Sequence, residues 1–111
     1  MTNDNDMQKD FEASGSLYPK VEASTIESLM SKVKYNAHVV DGTTTTVITS
    51  FIPIGEINFT LSTEIMACVD PRNFNAEKGV KYGIEKAAVS ARNKLWELEG
   101  YTLAKIMYGE V

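Results

Sequence analysis

Six residues in the second half of the sequence have the types and spacing to hold an anion: Arg72, Asn73, Asn75, Lys78, Lys81 and Tyr82. Asp70-Pro71 suits a capping turn, and Asn73 or Asn75 suits the N-cap of a helix that begins just after it. The open end of a helix offers unpaired N–H groups and the positive pole of its dipole, which favour a phosphate. Arg72, Lys78 and Lys81 lie at or just inside that end, and Tyr82 beside them has a face on which a nucleobase could stack. Across residues 72–94 there are six cations against two acids, Glu77 and Glu85, in a chain whose formal net charge is −4. The same residues also fit a solvated helix face held by pairs four apart, such as Lys81 with Glu85. Both readings stand at the level of sequence.

The other reactive residue types are sparse. Nucleophilic catalysis by Cys68 needs a base within reach and a third group to orient it. His38 is the one histidine, and no third group is evident. Cys68 ends an apolar strand, where a free cysteine behaves as a small buried hydrophobe. Glu64 and Asp70 are the carboxylates near that strand end and read as edge charges in water. One histidine and one cysteine cannot close a zinc site within one chain. No catalytic residue, cofactor or metal is therefore expected, and the chain reads as one that works by binding. A single cysteine also forbids an internal disulfide, which fits a reducing compartment. No apolar run approaches the roughly 18 residues of a spanning helix. Residues 1–10 lack an apolar stretch of signal-peptide type, so a cytoplasmic protein is expected.

The elements that must position these residues follow from periodicity. Residues 1–18 are polar and acidic, with a Ser14-Gly15-Ser16 stretch, and read as a disordered tail before a single domain over 19–111. Ser24 with Glu27 has the form of a capping box, and Ile26, Leu29, Met30 and Val33 follow at helical spacing, predicting a helix over 24–35. After the Asp41-Gly42 turn, Thr43 to Ile54 is dense in β-branched residues and predicts a strand. Pro53-Ile54-Gly55-Glu56 reads as a turn. In the next strand Ile57, Phe59 and Leu61 alternate with Asn58, Thr60 and Ser62, and Ile65 and Ala67 keep the same parity, predicting one buried face throughout. A lone hairpin is unstable in water, and a helix over 75–98 is the expected cover. Gly79, Gly83, Ala87 and Ala91 form a ridge of small residues on it for close approach, and Gly100 is expected to break it. Tyr82, Val89 and Trp96 recur seven apart on another side, a candidate interface, although Trp96 also suits a place in the core. The expected fold class is α+β: a short helix, an antiparallel hairpin or small meander, and a long C-terminal helix on one face.

The segment Ala67, Cys68, Pro71, Asn73, Phe74, together with Gly79, Trp96, Leu98, Gly100 and Tyr101, resembles the small gene product 49 protein family of tailed bacteriophages. That family shares a short N-terminal helix, a strand pair, an Ala-Cys-x-x-Pro-x-Asn-Phe turn and a helix ending near Trp-x-Leu-x-Gly-Tyr. The resemblance covers roughly residues 20–104. The Pro-Ile-Gly-Glu turn, Lys78 before Gly79, and Gly83 are departures from its pattern. It implies a phage accessory protein acting in the host cytoplasm. Three partner classes follow: a small phosphorylated nucleotide signal sequestered by a homo-oligomer, a host protein bound at a sheet edge or helix face, and, less favoured, nucleic acid. A small domain with open sheet edges is expected to self-associate.

Overall fold

The computed structural model describes residues 19–109. The expected tail over 1–18 lies outside the described residues. In chain order the elements are helix α1 (Ala23–Met30), strands β1 (Lys34–Val39), β2 (Thr45–Ile54) and β3 (Ile57–Ala67), a single 3-10 turn (Pro71–Asn73), and helix α2 (Ala76–Tyr108). The strands form an antiparallel meander in the order β1-β2-β3. Both helices pack on one face of it. The α+β class is the one expected.

The first helix is shorter than its predicted span. It starts at Ala23 behind Glu22, with no side-chain cap. Glu27 does not close a capping box with Ser24; its carboxylate reaches across to the guanidinium of Arg92 on α2. Residues 34–39 leave the helix for strand β1 because Tyr35, Ala37 and Val39 alternate with Lys34, Asn36 and His38, a period of two. The inward three pair with Ser50, Ile48 and Thr46 of β2.

The turn between β2 and β3 is tighter than the four residues expected. Both strands run through Ile54 and Ile57, which pair, leaving Gly55 and Glu56 as a two-residue loop. Gly55 holds φ at 57°, the left-handed conformation a two-residue hairpin requires. Pro53 lies inside β2, beyond Phe51, where β1 has already ended, so β2 has a strand on one side only there.

The predicted single parity of β3 fails at Leu61. The pairing steps from Ser50 with Ser62 to Phe51 with Thr60, leaving Leu61 as the extra residue of a β-bulge. Downstream the phase reverses: Ser62, Glu64 and Met66 face the helix, whereas Ile65 is 60% exposed on the open side of the sheet.

The core joins Ile26 of α1, Ile52 of β2, Leu61 of β3, and Ala91 and Leu95 of α2, with Val21, Leu29, Met30, Val33, Trp96 and Leu98 around it. Farther along α2 the small-residue ridge sets how closely the helix meets the sheet. A Cβ on Gly83 would stand 2.1 Å from Cδ1 of the buried Ile48, and one on Gly79 would stand 3.0 Å from Oγ1 of Thr46. Gly100 does not break the helix. It lies within one helix of 33 residues, with no side-chain or backbone neighbour in the space its Cβ would take. A glycine ends a helix when left-handed backbone is called for, and here the following residues keep helical spacing instead.

Candidate functional site

At the N-terminus of α2 the strand ends, the 3-10 turn and the helix enclose a cleft of about 190 Å³. Its walls come from Thr44 and Thr46 of the β1–β2 hairpin, Met66, Ala67 and Cys68 at the end of β3, Asn73 to Asn75, and Lys78, Gly79 and Tyr82 of α2. Each part is held locally. Asp70 caps the 3-10 turn by accepting from the Arg72 N–H at 2.9 Å, with Pro71 at its first position. Asn75 caps α2 by accepting from the Lys78 N–H at 3.1 Å. The Thr44 hydroxyl donates to the Cys68 carbonyl, tying the β2 entry to the β3 exit. The Cys68 thiol donates to the Asp70 carbonyl at 3.1 Å.

The most informative atom in the cleft wall is the hydroxyl oxygen of Thr46. Thr46 is 0% exposed, and its Oγ1 has no hydrogen-bond partner among the described residues. Leaving a buried hydroxyl unpaired costs about 1–3 kcal/mol, so such groups are few in folded proteins and each asks for a reason.

The structure brings four of the six anion candidates together: Asn73, Asn75, Lys78 and Tyr82 line the cleft. Arg72 is turned away from that role. Its guanidinium grips Asp70 through Nε at 3.0 Å and Nη2 at 2.7 Å, and its side chain is 88% exposed. This pairing holds the Asp70 carboxyl below the usual carboxylate range and raises the Arg72 guanidinium further. Lys81 does not line the cleft; its ammonium lies 5.4 Å from the Tyr82 ring centroid, a cation–π contact. The expected Lys81–Glu85 pair does not form. The cationic excess of 72–94 is instead balanced by acids from elsewhere. Lys86 lies 3.7 Å from Glu64, Arg92 meets Glu27, and Lys94 lies 3.4 Å from Glu97. Glu64 is therefore no free edge charge, for it also accepts from the Ser90 hydroxyl. Lys78 makes no ion pair among the described residues.

The seven-residue stripe divides. Trp96 packs against the core, while Tyr82 and Val89 are about half exposed. His38 and Cys68 are not brought together: His38 pairs with Val47 on the open sheet face, and Cys68 lines the cleft on the helix side. Among the described residues no group of three or more His, Cys, Asp or Glu is placed to hold a metal. No described helix is long and apolar enough to cross a membrane.

Sequence reasoning missed Thr44, Thr46, Met66 and Phe74 as cleft residues. The signal for Thr46 is faint: one threonine among many in a β-branched run, marked only by Gly79 falling opposite it. Phe74 belongs to the motif already singled out, and it lines the cleft together with Tyr82.

A family model described as the phage protein (N4 Gp49/phage Sf6 gene 66) family matches residues 21–107. No curated protein and no solved structure matches the chain.

Proposed function

The chain belongs to the phage protein family of N4 Gp49 and Sf6 gene 66, and from that premise we propose that it is a non-enzymatic accessory protein that sequesters a small phosphorylated nucleotide in the cleft at the start of α2. The observation that carries this reading is the buried, unpartnered Thr46 hydroxyl in the cleft wall. A ligand that reached it past Gly79 with a hydrogen bond would recover the cost of the unpaired hydroxyl. The remaining features agree with a phosphate-bearing occupant. Helix α2 brings the positive pole of its dipole to this end, and Lys78 makes no ion pair among the described residues. Phe74 and Tyr82 supply aromatic surface for a base.

A thermal-shift series with cyclic and linear nucleotides and with inorganic phosphate tests this. Ligand at 100 times its dissociation constant adds about 2.7 kcal/mol, which for a domain of this size is roughly 10 °C or more. Lys78→Glu should remove the shift without changing the melting temperature of the free protein. Thr46→Val should do two opposite things: raise the stability of the free protein by about 1 kcal/mol and weaken the ligand. A Thr46→Val variant that is less stable when free, with no nucleotide or phosphate shifting the wild type, would overturn the reading.

A second reading has its own observation. The sheet face opposite the helices carries Ile65, Val47 and Phe51 and is covered by no described element. A host protein docked there would be inhibited by occlusion, and it would co-purify in stoichiometric amount from infected cells.

A further inference from the structure

The far end of the molecule poses a separate question. Helix α2 follows β2 along the sheet, passing Thr46 at Gly79 and Ile48 at Gly83, and its Leu95 joins the cluster that holds Ile52. It then overruns the β2–β3 hairpin. Its last two turns carry Tyr101, Ile106, Met107 and Tyr108 on different sides, with Ile106 75% and Tyr108 82% exposed. On one side Thr102, Leu103 and the rim of Ile106 share a hollow with Val21 and Thr25; a helix end with further apolar residues on its other sides needs an additional apolar partner. Beside its base lies a hollow of about 270 Å³ between the hairpin and the two helices, walled chiefly by Leu29, Ile52, Ile54, Phe59, Leu61 and Leu98. Its two charged residues are Lys32 and Glu99.

The chain thus carries an apolar projection and an apolar hollow at the same end. The hollow lies under Leu95 and Leu98, one turn before the projection on the same continuous helix. A helix without a break cannot fold its own end back into the hollow beneath it. A second copy brings the matching projection, and its Lys105 offers Glu99 of the hollow an opposite charge. A two-fold axis fills both hollows and covers both projections in one closed contact, which is how most homodimers are built. We propose that residues 101–108 of α2 dock into the hollow of a second copy of this chain, forming a symmetric dimer.

Light scattering on the full chain over the micromolar range tests this. The wild type should run at twice 12.3 kDa, and Ile106→Asp should run as a monomer with unchanged far-UV circular dichroism. In a Cys68→Ser background, mixed chains carrying Ile106→Cys and chains carrying Phe59→Cys should form a covalent heterodimer on mild oxidation. A wild type that is monomeric throughout, or a dimer that survives Ile106→Asp, would overturn the proposal. The second outcome would leave a sheet edge as the contact, and the first would leave the projection for a different protein.

Discussion

Tyr35 shows how one side chain ties pH to stability in this fold. It points inward from β1, paired with Ser50, and burial raises its phenol above the ordinary range, while Arg92 pulls the other way more weakly. The raised folded value means the native state holds its proton more tightly than the unfolded chain does. Its contribution is complete below roughly pH 10, the ordinary tyrosine value, and is lost as pH climbs through the folded value. Tyr35→Phe should therefore flatten the alkaline limb of a stability-against-pH curve while leaving the neutral plateau nearly unchanged. At this scale the candidate site was partly legible. Asn75 as a cap and Lys78 as an exposed cation follow from local rules, because a helix start depends on a few consecutive residues. The loss of Arg72 to Asp70 was open to the same local reasoning, since the two stand two apart at a capping turn. Thr46 was not legible, because its meaning depends on an α2 glycine more than thirty positions away meeting it across the sheet.

Among the elements, α2 carries a contrast between two of its glycines. Alanine is about 1 kcal/mol better than glycine in a helix interior. At Gly100 nothing stands in the way, so Gly100→Ala should stabilise the protein by about that amount. At Gly83 the new methyl would collide with Ile48 and crowd Met66, and overpacking of this kind costs about 1–3 kcal/mol. Gly83→Ala should therefore be neutral to destabilising by about 2 kcal/mol, and denaturant melts of the two variants should move in opposite directions or differ by more than 1 kcal/mol. The small-residue ridge was legible because spacing by four along a helix has one meaning for packing. The end of α1 was not, because Val33 continues both a helical and an alternating pattern. Tertiary pairing with β2 decides between them. Gly100 was misread for a related reason: glycine permits a stop but does not impose one, and the turns beyond it stay helical.

As a whole the molecule is elongated, 56 × 33 × 20 Å, and α2 sets its long axis. The cleft lies at one end of that helix and the projection at the other. Lys78 and Ile106 are 28 residues apart, about 42 Å at the helical rise. Sites that far apart, with no shared side chain, should act additively. Ile106→Asp should leave any nucleotide-induced thermal shift intact, and Lys78→Glu should leave the oligomeric mass unchanged. A nucleotide that alters the dimerisation constant would show that the two ends communicate. The basic face of α2 changes meaning at this scale too. Read along the chain it is an excess of positive charge, yet in the folded molecule Glu64 and Glu27 meet Lys86 and Arg92.

The bulge at Leu61 matters for anyone lining up related chains. Its two flanking half-strands are out of phase, so Phe59 shares a side of the sheet with Ser62, Glu64 and Met66, although its number is odd and theirs are even. A relative lacking that one residue would place its downstream hydrophobic residues at the opposite parity and still bury the same surface. In such an alignment a single-position gap near 61 should keep the inward and outward columns of the six positions that follow in step, and leaving the gap out should exchange them. Members of the family can then be sorted by a deletion rather than by percentage identity.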